Sequence, residues 1–294
     1  MKLALYPGCS LESSAKEYLD STVAVAGALG IELEEIPDWI CCGSTPAHMA
    51  DELLSISLPA YNLQLAKQMN ADGVTVACAS CYSRLRAANN AVSTDPVKRE
   101  KVGKVLGADY EGDVPVSHLL EPIGEIIKQP DFESRLKQKL TGLKVASYYG
   151  CLLVRPPGIT GFDDTEDPQA MDRVVEAVGA EPVDWRFKVE CCGAALAFAR
   201  PEIVEKLSGQ ILQDAKESGA DIVLVACPLC HSNLDLRQCD IEKFLGVDLE
   251  IPVVYFTQLL GLALGISCKE LGLNKHTINP VPVLRKRGIT VKGC

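Results

Sequence analysis

Short apolar runs that lead to cysteines recur along this chain, and they predict the strands of the fold. Such runs occupy residues 3–6, 74–77, 145–148 and 222–226, and each is followed within a few residues by a cysteine. Brief apolar runs bounded by glycine or polar residues are typical of buried β-strands. Longer stretches between them have helical character, so the pattern predicts strand–helix alternation and a mainly parallel α/β sheet.

The helices are placed by the residues that begin and end them. Gly30 is expected to end a helix that begins near Ser13 or Ser14, and Gly179 to follow one that begins near Asp167. Further helices are predicted at about residues 51–69, 82–90 and 202–218, and further strands at 31–36 and within 114–120.

The two halves of the chain repeat one order of elements. Residues 74–81 are VTVACASC and residues 223–230 are VLVACPLC, and each lies just after an Ala-Asp pair. A repeat of a whole domain indicates duplication and a pseudo-twofold arrangement. The predicted fold is therefore α/β, with two tandem domains at residues 1–135 and 136–294, the second carrying a tail. Each would have a mainly parallel sheet flanked by helices.

Composition narrows the function classes. The 294 residues carry a net charge of −10, which argues against nucleic acid as a partner. The longest apolar run, near residues 252–266, is too short and interrupted to span a bilayer, and the N-terminus does not resemble a signal peptide. We therefore expect a cytoplasmic protein without a membrane span.

Thirteen cysteines require an explanation. An odd number in a chain of this size, without an export signal, favours metal or redox chemistry in a reducing compartment over disulfides. Three of them, Cys239, Cys268 and Cys294, have no counterpart in the other half and are interpreted as buried or incidental thiols. The other ten form two sets of five in the same order: Cys9, Cys41, Cys42, Cys78 and Cys81, then Cys151, Cys191, Cys192, Cys227 and Cys230.

Five cysteines exceed what the common sites use. A structural zinc or a cubane iron–sulfur cluster takes four ligands. Adjacent cysteines, such as Cys41 and Cys42, point to opposite sides of extended backbone, so one small ion would strain to accept both. A noncubane [4Fe-4S] cluster in each set is the favoured interpretation, and zinc in the N-terminal site remains an alternative.

The sequence also lacks motifs that would give the chain its own supply of electrons. It contains neither the cysteine run of a bacterial ferredoxin nor a glycine-rich nucleotide loop. Electrons would then come from a partner protein, and the chain would be either an electron relay or a terminal reductase. His231, directly after Cys230, is a candidate proton donor, and the glycine- and proline-rich loop at residues 155–164 is a candidate substrate contact.

The doubled cysteine pattern resembles the cysteine-rich CCG domain. Two such domains with little else resemble the B subunit of methanogen heterodisulfide reductases, over nearly the whole chain. That resemblance implies two noncubane clusters, each held by the five cysteines of a set, and reduction of the CoM-S-S-CoB heterodisulfide to two thiols. It also implies partner subunits: a C subunit with cubane clusters and a flavin-bearing A subunit that bifurcates electrons. A hydrogenase or formate dehydrogenase would supply those electrons.

The implied substrate is anionic at both ends, so basic residues are expected along its approach. The candidates by position are Arg155, Arg186 and Lys188, with Arg84, Arg86, Lys286 and Arg287 as further possibilities. Two rival functions stay open. One is an iron–sulfur electron-transfer subunit of a lactate- or glycolate-type or quinone-linked dehydrogenase, and the other is a structural zinc protein.

Overall fold

Two parallel four-stranded sheets with the same topology form the framework of the molecule. The computed structural model describes residues 1–44 and 46–294, and for Pro46 it describes only the backbone. The strand orders are β2-β1-β3-β4 and β6-β5-β7-β8, with every pairing parallel. The strands are β1 Lys2–Tyr6, β2 Glu32–Glu35, β3 Val74–Val76, β4 Val116–His118, β5 Lys144–Tyr148, β6 Glu181–Pro182, β7 Ile222–Val225 and β8 Val253–Tyr255. The predicted α/β fold with a doubled domain is confirmed.

Helices flank both sheets. Those of the first half are α1 Gly8–Leu11, α2 Lys16–Leu29, α3 Pro46–Ala50, α4 Glu52–Lys67, α5 Ala79–Thr94, α6 Pro96–Leu106, α7 Leu120–Ile127 and α8 Phe132–Arg135. Those of the second half are α9 Pro157–Thr160, α10 Ala170–Ala177, α11 Pro201–Glu217, α12 Pro228–His231, α13 Gln238–Leu245, α14 Phe256–Leu264, α15 Cys268–Leu271 and α16 Val281–Lys286. Short 3-10 turns at Ala194–Leu196 and Leu273–Lys275 and a π-helical turn at Ser232–Leu236 complete them.

Local signals explain where the helices begin and end. Gly30 ends α2 in the left-handed conformation, as predicted. Asp51 caps α4, since its carboxylate accepts from the Leu54 N–H at 2.7 Å. One start differs from expectation. Helix α5 begins at Ala79 rather than Tyr82 because Cys78 is its extended N-cap, so Cys81 lies in the first turn of the helix.

The two halves share a buried interface. The Tyr18 ring on α2 stacks on Tyr255 with 3.9 Å between centroids, and the Ser21 and Thr257 hydroxyls are 2.7 Å apart. His118, at the end of β4, places Nε2 3.1 Å from the carbonyl oxygen of Ala226. Its Nδ1 accepts from the Leu120 N–H, so Nε2 is the protonated nitrogen and the donor. The halves therefore form one continuous core.

Two cysteines outside the repeated sets are not incidental thiols. Cys268 and Cys294 form a disulfide, with 5.5 Å between their Cα atoms. The interpretation of these two as buried or incidental thiols was wrong because the 25 residues between them fold back and bring them together. Cys239 is free and exposed. Within the described ranges, no helix has the length and apolar character needed to span a membrane.

Candidate metal centre between the two halves

Both cysteine sets lie at the carboxyl ends of the parallel strands, where such sheets collect their ligands. In the first half, Cys9 lies on α1 directly after β1, and Cys78 follows β3 at the start of α5. Cys151 and Cys227 have the same positions relative to β5 and β7 in the second half. The Cys-Cys-Gly segments follow the edge strands β2 and β6, so each set combines residues from three loops at one sheet edge.

The sulfur atoms within each set lie close together. Cys42 and Cys81 have their Sγ atoms 3.4 Å apart, and the corresponding atoms of Cys192 and Cys230 are 3.7 Å apart. The two sets also meet, since the Sγ atoms of Cys78 and Cys227 are 4.0 Å apart. All ten cysteines are nevertheless unbridged thiols. Two adjoining pools of thiol ligands therefore lie at the contact between the halves.

Each pool has a buried side and an open side. The buried thiols are Cys42, Cys78, Cys81, Cys192, Cys227 and Cys230. Cys9, Cys41 and Cys191 are exposed, and Cys151 is partly exposed. A ligand held by either set would thus be enclosed by protein on one side and accessible on the other.

Glycine and tyrosine residues at equivalent positions shape both sets. Gly8 and Gly150 each have a φ of +67°, and an added Cβ would lie 3.0 Å from the Cys81 sulfur or 3.1 Å from the Cys230 sulfur. A larger residue would therefore push into the thiol pool. The buried Tyr6 and Tyr148 hydroxyls donate to the carbonyls just before each Cys-Cys pair, Ile40 at 2.8 Å and Glu190 at 2.6 Å.

Hydrogen bonds between the thiols lower the pKa of at least one cysteine in each set. Hydrogen bonds from Cys41 and Cys81 lower the pKa of Cys42 to about 3, and the charge of Arg84 contributes in the same direction. A hydrogen bond from Cys151 lowers the pKa of Cys191 to about 6, with help from the Gly193 N–H. Each pool thus contains a stabilised thiolate, the form that binds metals.

The donor set fits a polynuclear iron–sulfur group better than zinc. Each pool offers five thiols, and a tetrahedral zinc site would leave one of them without a role. Buried anionic sulfurs also need a cationic partner in a low-dielectric site, which the irons of a cluster provide. Together with the duplicated Cys-Cys pair, the donors are suited to one iron–sulfur cluster in each half.

A cavity of about 250 Å³ opens beside the second set, between the two halves. The whole second set lies on its walls: Cys151, Cys191, Cys192, Cys227 and Cys230. The rest of the walls differ in character between the halves. The first half contributes Ser44, His48, Ser80 and Arg84 with Ala79, and the second half contributes Tyr149, Leu152, Ala194, Ala195 and Leu229.

The three basic residues predicted to bind substrate all have carboxylate partners. Arg155 donates to Glu166 at 2.8 Å, and the Arg186 Nε donates to Asp214 at 2.9 Å. The buried Lys188 ammonium lies 2.7 Å from Asp167 and 3.0 Å from Asp172. None of the three is among the residues that line the cavity. A substrate role for them remains a prediction without geometric support.

The glycine- and proline-rich loop packs against the other half. The Tyr82 hydroxyl donates to the Thr160 carbonyl at 2.8 Å, and the Arg86 Nε donates to the Ile159 carbonyl at 3.0 Å. Both donors lie on α5, the helix that carries Cys81. The loop therefore joins the two halves beside the first cysteine set.

His231 lies in a buried hydrogen-bonded chain. Its Nε2 is 2.8 Å from His276 Nδ1 and 3.1 Å from the Val253 carbonyl, and His276 Nε2 is 2.9 Å from Gln258 Oε1. Because the amide oxygen only accepts, His276 donates from Nε2, and His231 donates from its own Nε2 to His276. Burial lowers the pKa of His276 to about 4, so this chain is neutral.

Sequence reasoning missed two kinds of site residue. Tyr6 and Tyr148 occupy the same place in each repeat, two residues before Gly-Cys, and this repetition was a usable signal. His48 and the serines Ser44 and Ser80 carried no such signal. Their position depends on how the first half packs against the second.

One known family and several named proteins match this chain. The CCG family, described as a cysteine-rich domain, matches residues 3–86 and 145–235. An 8-methylmenaquinol:fumarate reductase membrane anchor subunit from Wolinella succinogenes is 35% identical over 95% of this chain and 97% of its own length. The B subunit of a ferredoxin/F420H2-dependent CoB-CoM heterodisulfide reductase from Methanosarcina acetivorans is 32% identical over 97% of this chain and 96% of its own.

One solved structure shares the fold. A hypothetical protein from Helicobacter pylori superimposes with a TM-score of 0.78 at 16% identity, over 95% of this chain. The matched region is 52% of that protein's chain, so this chain spans about half of its length. At this identity the likeness supports the architecture and nothing further.

Proposed function

This chain belongs to the family of the cysteine-rich CCG domain, which it carries twice, and we propose that it is the disulfide-reducing iron–sulfur subunit of an oxidoreductase complex. The observation that carries the proposal is the 4.0 Å contact between Cys78 and Cys227, because it places the first five-thiol pool directly against the second, which lines a cavity. The relatives named as B subunits of heterodisulfide reductases span nearly the full chain and support the same activity.

The proposed cofactors are two noncubane [4Fe-4S] clusters. Cys9, Cys41, Cys42, Cys78 and Cys81 would hold one, and Cys151, Cys191, Cys192, Cys227 and Cys230 the other. When bound, each cluster supplies one electron at a time, so the pair matches the two electrons that a disulfide requires. The contact between the pools supports two clusters that lie side by side, and the buried thiols keep water from their inner side.

The reaction is the reduction of a mixed disulfide by two electrons and two protons to two thiols. The proposed substrate is the CoM-S-S-CoB heterodisulfide, and the chain's part is to bind it with the sulfur–sulfur bond between the two sets. The proposal assigns His231 to proton supply, because it follows the ligand Cys230 and is linked to His276 and Gln258. A neutral imidazole can accept a proton at one nitrogen and release one from the other.

The proposed partners supply the electrons. The complex would contain a C subunit with cubane clusters and an A subunit with flavin, fed indirectly by a hydrogenase or formate dehydrogenase. The exposed Cys9, Cys41 and Cys191 support the need for a partner, since they leave an edge of each set accessible from outside.

A second candidate is an electron-transfer subunit of a quinol:fumarate reductase. The 35% identical Wolinella relative favours it, because that protein is named as part of such an enzyme. In this case the two clusters would pass electrons without a disulfide substrate.

Thiol release separates the two functions. The anaerobically isolated complex should release two thiols from the heterodisulfide for every two electrons taken from a reduced viologen dye. The same preparation with Cys192→Ala and Cys230→Ala is the control and should release none. A complex with full iron content that oxidises quinol but releases no thiol would support the second candidate. An iron-to-zinc ratio near zero would overturn both.

A further inference from the structure

The cavity beside the second cysteine set has two chemically different walls. The wall from the second half is apolar apart from its cysteines, with Leu152, Ala194 and Leu229. The wall from the first half carries the side chains of Ser80, Arg84 and other polar residues. A ligand that fills this space therefore meets a polar, basic surface on one side and an aliphatic surface on the other.

Arg84 supplies the positive charge of the basic wall. It lies on α5 one turn after Cys81, so the helix fixes it beside the first set. Its side chain lines a cavity whose cysteines all belong to the second set. Arg84 thus lies at the junction of the two thiol pools.

No carboxylate neutralises Arg84 within the part of the chain that the structure describes, where it forms neither an ion pair nor a side-chain hydrogen bond. The basic residues nearby differ in this respect. Arg155, Arg186 and Lys188 are held by acidic side chains, and Arg86 donates to the Ile159 carbonyl. A partly buried guanidinium with free donors is suited to bind an anionic group in a planar, two-pronged manner.

We propose that Arg84 is the specificity-determining residue that binds an anionic group, such as a sulfonate or carboxylate, on one arm of the disulfide substrate. The other arm then lies against the apolar wall of Leu152, Ala194 and Leu229. This orientation rests on the proposed disulfide reduction. It adds to that proposal which arm of an asymmetric disulfide lies against each wall of the cavity. The imidazole of His48, which lines the same wall, is the second polar contact available to that group.

A role for Arg84 in charge balance can be distinguished from substrate binding by which substrates its loss affects. If the guanidinium serves only to balance the negative charge of the cluster thiolates, its loss would alter the clusters themselves and would affect every substrate equally. If it binds the substrate's anionic arm, its loss would affect only substrates that carry the charge, and the clusters would be unchanged.

The experiment uses the assembled complex and two mixed disulfides that share a hydroxyhexyl arm. The other arm is sulfonatoethyl in one and hydroxyethyl in the other. We expect Arg84→Gln to raise KM for the sulfonate-bearing disulfide roughly tenfold to a hundredfold, as for the loss of a charged hydrogen bond. KM for the neutral disulfide should change by less than about threefold, and Arg84→Lys should recover part of the lost affinity.

A second measurement does not depend on turnover. The oxidised complex is titrated with the sulfonate-bearing thiol or the neutral thiol while its EPR spectrum is recorded. In Arg84→Gln the concentration of sulfonate-bearing thiol at half-maximal change should rise by the same factor, with iron content and the thiol-free spectrum unchanged. Arg86→Gln removes a charge two residues away and should leave the ratio of the two KM values as in the wild type.

Two results would overturn the inference while leaving the proposed function intact. One is an equal effect of Arg84→Gln on the charged and neutral disulfides, and the other is loss of iron or an altered thiol-free spectrum in both Arg84 variants. A wild-type complex that neither reduces these disulfides nor responds to either thiol would instead overturn the proposed function, and this inference with it.

Discussion

The sulfur of Cys78 lies 4.0 Å from the sulfur of Cys227, although the two residues are 149 positions apart and belong to different halves. Each is the first cysteine of its Cys-x-x-Cys pair and follows the third strand of its sheet order. This contact makes the two sets adjoin, so whatever one set binds lies directly beside the other.

Removal of two buried ligands from one set should remove one cluster. We expect Cys42→Ala with Cys81→Ala, or Cys192→Ala with Cys230→Ala, to lower the iron of the complex by about four atoms per copy of this chain, as for the loss of one four-iron cluster. The anaerobic complex is assayed for iron, and its EPR spectrum is recorded. Because the sets adjoin, the remaining signal should also change shape.

The control for iron content is Cys239→Ser, which removes an exposed thiol outside both sets. It should retain the wild-type iron. Full iron in both double variants would show that these four cysteines are not ligands.

Replacement of the two site tyrosines should destabilise the protein to different degrees. Tyr148→Phe is expected to cost about 1 kcal/mol of unfolding free energy, as for the loss of one hydrogen bond. Tyr6→Phe should cost less, since the Ile40 carbonyl keeps a second donor, the Asn62 amide, at 2.9 Å. Urea unfolding of each variant provides the measurement.

Tyr61→Phe is the matched control for this pair, because the Tyr61 hydroxyl has no hydrogen-bond partner among the described residues. It should unfold like the wild type. A Tyr6→Phe variant that loses more stability than Tyr148→Phe would contradict the explanation.

His118 should make stability depend on pH. Burial lowers its pKa from 6.5 to about 4, so the unfolded chain binds a proton here between those values and the folded chain does not. The contribution is therefore present above pH 6.5 and is lost as the pH falls toward 4. Between pH 7 and 5 the loss is about 2 kcal/mol.

The test compares wild type and His118→Gln by urea unfolding at several pH values. Glutamine can still donate to the Ala226 carbonyl, but it does not titrate. The variant should show a shallower fall in stability between pH 7 and 5. Parallel pH profiles for the two proteins would rule out this role for His118.

Lys188 should matter for folding more than for substrate affinity. Its ammonium is buried between Asp167 and the equally buried Asp172. Lys188→Met leaves the Asp172 carboxylate buried without a cation, which typically costs about 3–5 kcal/mol. Combining it with Asp172→Leu should recover much of this loss. A rise in KM without any loss of stability would instead support the substrate role expected from its position.

Most of the strands, some helix ends and the cysteine pairs could be predicted because each is marked by a short sequence pattern. The apolar runs, the Gly30 cap and the Cys-x-x-Cys pairs each occupy a few consecutive residues, and the repeat confirms one half by the other. The parallel sheets then place the cysteines at one edge by topology alone.

The residues around the cysteines could not be predicted in the same way. Arg84 and Arg186 look alike in the sequence, but Arg84 lines the cavity, whereas Arg186 lies outside it and is neutralised by Asp214, 28 residues away. The His231–His276 contact likewise joins positions 45 residues apart. Such pairings depend on the tertiary fold, and a single sequence carries no local sign of them.

The contact between Cys78 and Cys227 also has an evolutionary consequence. In a symmetric dimer, only a residue near the rotation axis touches its own copy in the partner. Two equivalent cysteines in contact are what gene fusion of such a dimer would leave behind. A fusion of this kind would join two one-domain copies and leave this contact on the former axis between identical subunits.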